Sequence, residues 1–365
     1  MNLSPSVKAK YTQDDISARE AQRLAEFIAF SPVVFQISRL MVKLGVLDLL
    51  RNADNGMTQE EIAAKTGLSL YAVKVLTEAS LSIGTVIVDA ETNRFHLAKT
   101  GWFLLNDPAT KVNLDFNHDV NYMGMFRLEE ALKEGIPAGL KHFGDWPTIY
   151  EGLSSLPADV QKSWFAFDHF YSDSSFEEAL KIVFADGPQT LLDVGGNTGR
   201  WALRCVGYNA DVNVTVVDLP QQLEMMKAYT QGKNGAERID GYGMNLLDDS
   251  QQFPTGKHYD VIWMSQFLDC FNEEQVTSIL RRAARIMDAD TRLYIMETVW
   301  DRQRFEPAAF CLTMTSVYFT AMANGNSKMF NTDDLVRLIG NAGMEVEQTY
   351  DCLGQAHTIL KCKTK

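Results

Sequence analysis

The 365-residue chain is 46% apolar and 22% charged with a formal charge of −13, a balance that allows two domains with proper cores and opposes binding to nucleic acid or anionic membrane. The expected partner is therefore a small molecule. The chain has no apolar run of about 18 residues, no leader ahead of a cleavage site, no Cys-x-x-Cys pair and no histidines at ligand spacing, so no membrane span, secretory signal, disulfide frame or metal is expected, and the cytoplasm is the default.

Near the N-terminus, Ser31-Pro32 opens a helix expected over Val33 to Leu50, with Ile37, Leu40, Met41, Leu44, Leu47 and Leu50 at helical spacing. Thr58 to Glu61 reads as a capping box for a short helix ended by Gly67, and Ser69 caps a second helix through Ser80. Thr85 to Val88 and Arg94 to Leu97 then form a hairpin about Asp89 to Asn93. Helix, turn, helix and hairpin make a winged helix, a motif open to a DNA-binding regulator. Its second helix, however, offers Leu70, Tyr71, Val73, Val75 and Leu76 with only Lys74 and Glu78 charged, too little to neutralise phosphates or read base edges. The other readings are subunit pairing and a monomeric helical cap.

Between Leu104 and Phe184 no strand pattern occurs, but aromatics are dense. A helix over Ser163 to Tyr171 carries them on nearly every face, more than one neighbouring layer buries, so His169 and Phe170 are candidate substrate-wall residues beside the alternative of plain core.

From Leu191 strands and helices alternate. Leu191 to Val194 is a buried strand, Gly195-Gly196-Asn197-Thr198-Gly199 a tight turn, and Arg200 begins a helix, the start of a nucleotide-binding α/β unit. The glycines lack the Gly-x-Gly-x-x-Gly spacing of nicotinamide and flavin folds. Asp193, two places before the first glycine, instead suits the cationic amino group of S-adenosylmethionine, and Asp218, closing the strand from Val214, stands where an acidic side chain accepts ribose hydroxyls. Further strands are expected at Arg238 to Tyr242, Tyr259 to Ser265, Arg292 to Glu297, Met344 to Tyr350 and Thr358 to Cys362. The last should be antiparallel, because Leu353-Gly354 is too short for a crossover. One helix is expected from Asn272, with Gln275 in capping-box position, to Met287, and another is capped by Thr332 and stopped by Gly343.

Asp193-Val194-Gly195-Gly196 and Asp218-Leu219-Pro220 resemble the class I S-adenosylmethionine-dependent methyltransferases. From about residue 20 to the end, the chain is similar to the small-molecule O-methyltransferase family that carries an N-terminal winged-helix dimerisation domain. The resemblance implies an α/β fold, a doubly wound seven-stranded mostly parallel sheet with an antiparallel last strand, plus the mainly helical winged-helix domain. It also implies a homodimer. Dimerisation would fall to residues 1–105, a helical linker touching the substrate pocket to 106–185, and methyl transfer to 186–365.

The resemblance assigns the cofactor to Asp193, Gly195, Gly196, Gly199, Asp218, Leu219 and Ser265. Where the family has Gly-Asp and an apolar residue at the adenine, this chain reads Gly243-Met244-Asn245, so Met244 is expected to pack the purine and Asn245 to bond it, unless the triplet is only filler. The family's Leu-His-Asp-Trp, whose histidine removes the acceptor proton, becomes Leu268-Asp269-Cys270-Phe271. Asp269 is therefore the candidate base, or else a capping or water-facing aspartate. The family lysine falls on Ser265, one acidic flank survives as Glu297 and the other falls on Met329. Glu297 is a partner of the base, a substrate clamp or a strand-end carboxylate paired with a cation, and Phe267 stands beside the acceptor. The implied reaction is O-methylation of a small aromatic hydroxylated metabolite, with N- or C-methylation or other chemistry as the alternative.

Overall fold

The computed structural model describes residues 3–365. Two compact units divide it, residues 14–119 and residues 3–13 with 120–365. This partition differs from the three expected segments at both ends. The helix Pro108–Phe116 packs on Lys99–Asn106 of the smaller unit, and the first residues join the larger one, where the Ser4 N–H donates to the Asp301 carbonyl at 2.8 Å and Val7 is buried. No single helix among the described residues is long and apolar enough to cross a membrane.

The smaller unit is a winged helix with helices preceding it. Thr58 and Glu61 form the expected reciprocal cap of helix Gln59–Thr66, Gly67 ends that helix in the left-handed region, and Ser69 caps Leu70–Ile83. Strands β1 (Val86–Asp89) and β2 (Arg94–Leu97) pair antiparallel as the wing. Met41, Leu47, Leu50, Ile62, Val73, Leu76, Val86 and Phe95 meet in its core. The single helix expected over Val33 to Leu50 is two, Ser31–Lys43 and Val46–Arg51. Gly45, at φ 73°, makes the break. Apolar spacing continues through it, so periodicity does not reveal the turn, whereas the glycine marks the place where backbone can go left-handed without a Cβ penalty.

The larger unit is built on a seven-stranded sheet in the order β5-β4-β3-β6-β7-β9-β8. Its strands are β3 (Thr190–Val194), β4 (Asn213–Asp218), β5 (Ile239–Gly243), β6 (Val261–Ser265), β7 (Arg292–Glu297), β8 (Met344–Leu353) and β9 (His357–Thr364). β3 to β7 run parallel, and β9 is antiparallel to both β7 and β8. The central strands are covered on both faces, which is why they read as unbroken apolar runs. Order reverses at β3, whose neighbours are β4 and β6, so a crevice opens beyond the C-terminal ends of those strands.

Two helix ends differ from expectation. Asn272 and Gln275 do cap each other's backbone amides, yet the helix stops at Ala284. In the other helix the cap is Asn331, whose Oδ1 accepts the Asp334 N–H at 2.8 Å, and Thr332 is its first residue. The hydroxyl of Thr332 instead donates to Asp301 at 3.1 Å, a partner distant in sequence.

Arg282 ties the first of these helices to the loop after β5. It is buried, and its guanidinium donates to the carbonyls of Leu246, Asp248 at 3.2 Å and Gln251 at 3.1 Å. Replacing it by methionine strands those carbonyls. Arg282→Met should lower unfolding free energy in urea by about 2 to 3 kcal/mol, the range for bonds to a charged donor, and an unchanged midpoint would show that water replaces the guanidinium freely.

Candidate active site

The loop after β3 is shaped by what surrounds each glycine. Gly195 is at φ 74°, and a Cβ there would lie 2.3 Å from the Phe267 ring. At Gly196 the same atom would lie 2.6 Å from Asp193 Oδ2 and 2.7 Å from Val216 Cγ1. Gly199, at φ 76°, starts the helix Arg200–Tyr208 against Met226. Asn197 takes positive φ at 49°. Its backbone N–H donates to Asp218 Oδ2 at 2.8 Å, while the Leu219 N–H donates to Oδ1 at 2.7 Å. The Asp218 carboxylate is thus clamped between the two loops, with further lone pairs left for a ligand's hydroxyls.

Asp193 is 2% exposed and its Oδ2 has no hydrogen-bond partner. Burial, and then the Asp218 charge, push it up to about 8. A buried carboxylate with an unused oxygen next to a glycine loop is the complement of an ammonium group, and the residues present fit the amino-acid end of S-adenosylmethionine in that respect. Asp193, Gly195, Gly196, His169 and Ser265 line one small cavity together with Asp168, Trp201, Trp263 and Gln266. Of the aromatic-helix candidates, His169 reaches it, whereas Phe170 packs edge-on against Tyr171 at 5.3 Å. Successive helical residues point about 100° apart, which separates them.

The two adenine-side candidates differ in their surroundings. Met244 is buried in the core among Leu246, Phe253 and Val276 rather than presented at a surface. Asn245 is exposed, and its Oδ1 accepts the Leu247 N–H at 3.0 Å as part of its own turn. An Asn side chain caps local backbone readily, which diverts it from a ligand.

Asp269 lies in the short turn Leu268–Cys270 after β6 and is buried. Burial dominates in pushing its carboxyl up to about 7, with the Asp168 charge adding to it and the Cys270 thiol opposing. It neither faces bulk water nor caps a helix. Glu297, at the end of β7, is also buried, and its Oε1 accepts the N–H of Phe267 at 3.0 Å and of Leu268 at 2.8 Å. It therefore has no cation partner and holds the turn that carries Asp269. Burial first, and the Asp269 charge second, raise Glu297 well above the usual carboxylate range. The Asn324 amide fixes the far side of the turn through the Cys270 carbonyl at 2.5 Å.

Several groups around Asp269 carry no local signal in the sequence. Tyr318 is buried and takes the Trp164 indole N–H at 2.7 Å, and both Tyr318 and Tyr150 feel the Asp269 charge. Asp168, on the helix Ala158–Asp173, is raised to about 6 by burial and then by Asp173. The aromatic run is a visible signal for this helix. Nothing local distinguishes Asp168 or Tyr318.

Residues 22–95 match the Dimerisation2-like domain and residues 170–345 match the O-methyltransferase domain. The chain is 25% identical over 311 residues to demethylspheroidene O-methyltransferase of Cereibacter sphaeroides, covering 85% of this chain and 78% of that protein. It is 23% identical to mitomycin biosynthesis 6-O-methyltransferase of Streptomyces lavendulae, covering 85% of each. Among solved structures, the S-adenosylmethionine-dependent methyltransferase SibL superposes with a TM-score of 0.71 at 21% identity, over 93% of this chain and 98% of that one, a likeness of fold.

The Asp193 environment sets a pH dependence. In the folded chain the carboxyl keeps its proton up to about 8, but in the unfolded chain it ionises near 4, so the native state binds more protons between those values. The stability this contributes is full below the unfolded value and is lost as pH rises through the folded one. Between about pH 7 and 8.5, above the ordinary histidine range, the urea midpoint of the ligand-free chain should fall, and Asp193→Asn should flatten that slope. A midpoint that climbs over this interval contradicts the buried protonated carboxyl.

Proposed function

Because the chain belongs to the S-adenosylmethionine-dependent O-methyltransferases, with a dimerisation domain ahead of the O-methyltransferase domain, we propose that it methylates a hydroxyl on a small aromatic acceptor, with Asp269 as the base. The observation that carries this is the buried Asp269 carboxyl, raised to about 7 in an aromatic surround where the family has its histidine. An ordinary aspartate near 4 is too weak a base for a phenol at neutral pH. Burial moves this one into the range where proton transfer is efficient.

The roles follow from position. S-adenosylmethionine supplies, when bound, an electrophilic methyl carried on its sulfonium. Asp193 takes the ammonium, and Asp218, already oriented by the Asn197 and Leu219 amides, takes the ribose hydroxyls. Glu297, raised well above the usual carboxylate range by burial and then by the Asp269 charge, holds the turn that carries Asp269. Tyr150, Tyr318, Phe267 and Phe271 offer apolar faces to a ring, and Phe267 and Phe271 meet at 4.9 Å. Asp269 would take the proton of the acceptor hydroxyl as the methyl left the sulfonium sulfur, with S-adenosylhomocysteine as the leaving group, so the work of the fold is alignment and exclusion of water.

Assembly rests on a different face. The helix Ala18–Ala29 buries none of its residues within the chain, and Leu24, Phe27, Ile28, Phe30 and Val33 remain exposed, Ile28 at 63%. An apolar set of that size on a domain of the dimerisation class is best satisfied by a second copy, giving a homodimer. Lys74 is the lone cation on the winged-helix second helix, which leaves nucleic acid little to hold.

Two measurements test these readings. Asp269→Asn should leave affinity for S-adenosylhomocysteine within about twofold and lower turnover by about 10²-fold or more. Equal turnover from pH 6 to 9 with the true acceptor would remove Asp269 from the chemistry. Light scattering should give twice the chain mass, and Phe27→Asp with Ile28→Asp should give a folded monomer. A monomeric parent at micromolar concentration would overturn the dimer.

A further inference from the structure

Gln266 follows β6 directly and adopts φ 43°, a left-handed conformation that a glutamine rarely takes. The strained backbone swings its side chain toward the cavity that Asp193 and the glycine loop also line. Its amide is not left to rotate. Gln266 Oε1 lies 3.0 Å from His357 Nε2, and His357 Nδ1 lies 2.7 Å from Ser175 Oγ. An amide oxygen only accepts, so Nε2 carries the ring proton, Nδ1 accepts, and the Ser175 hydroxyl, which also reaches the Leu353 carbonyl at 3.4 Å, turns to the nearer nitrogen. That assignment sets the polarity of the whole chain. Ser175 donates to Nδ1, Nε2–H donates to Gln266 Oε1, and the Gln266 NH₂ group is left with two donors and no protein acceptor.

Burial keeps His357 neutral, at about 3, so the relay holds a single state across the working pH range. Trp201 and Trp263 belong to the same lining, stack at 4.3 Å, and have buried indole N–H groups without a hydrogen-bond partner. One acceptor there lacks a donor, Asp193 Oδ2. A carboxyl with an unused oxygen and an amide with unused N–H groups in one cavity lining are complementary to a zwitterion. Strand order supplies the direction. Asp218 closes β4, β3 carries Asp193 and the glycine loop, and β6, which leads into Gln266, lies on the side of β3 away from Asp218.

We infer that Gln266 is a further cofactor-binding residue, whose amide donates to the carboxylate of the S-adenosylmethionine amino-acid end, with His357 and Ser175 as its positioning residues. The inference rests on the cofactor reading above and goes beyond the residues that the glycine loop and Asp218 provide. It accounts for a strained glutamine, a buried neutral histidine and a buried serine that the proton-transfer site does not use.

The test compares two ligands by calorimetry on the full-length chain. S-adenosylhomocysteine carries the amino-acid end and 5′-methylthioadenosine lacks it. Gln266→Leu should weaken the first by about tenfold, the scale of one hydrogen bond to a charged group, and leave the second within about twofold. Gln266→Glu, which sets a second anion against the ligand carboxylate, should weaken the first further and again spare the second. Equal weakening of both ligands would mean that the substitution only deforms the loop, and no change in either would remove Gln266 from the site. Either result overturns the inference while leaving the cofactor reading intact. Failure of the parent chain to bind S-adenosylhomocysteine would instead overturn that reading and the inference with it.

Discussion

Burial of carboxylates without a cation beside them is the constraint on which this site depends. Asp193, Asp269 and Glu297 are each less than 5% exposed, at the C-terminal ends of neighbouring parallel strands or the turns that follow. In such surroundings the charged form is penalised and the group takes up a proton instead. The fold therefore stores acids in a state they do not hold in water. The penalty raises Asp193 to about 8 and Asp269 to about 7.

The backbone around those acids is arranged to keep them dry and fixed. Gly195 and Gly196 let Phe267, Val216 and Asp193 close on the loop without a Cβ in the way. Glu297 bonds the amides of Phe267 and Leu268, so one buried acid holds the segment that carries the other. The strained Gln266 sits directly between β6 and that segment. The strain at Asn197 and Gln266 and the unpaired oxygens of Asp193 and Glu297 are offset by the continuous apolar layers of the sheet beneath.

Local chemistry is strong enough to make the framework legible in the amino-acid sequence. Parallel strands buried on both faces must be apolar throughout, so Leu191 to Val194 and Val214 to Val217 stand out. Caps at Thr58, Ser69 and Asn272 can be read because the groups that complete them lie only three residues away. The break at Gly45 and the shift of a cap from Thr332 to Asn331 are hidden for the opposite reason. Apolar spacing runs through the first, and the competing partner of Thr332 is Asp301, 31 positions away.

The sequence by itself determined the fold class and the glycine loop with its two aspartates, and it singled out Asp269 where the resembled family has a histidine, because each is written within a few neighbouring residues. Tertiary structure alone decided that Asp269 is buried, that Glu297 bonds backbone amides instead of a cation, and that Met244 belongs to the core. It alone joined Gln266 to His357 across 91 positions and His357 to Ser175 across 182. Burial and hydrogen-bond partnership are properties of what surrounds a side chain, and distant segments bring those surroundings only when the chain has folded.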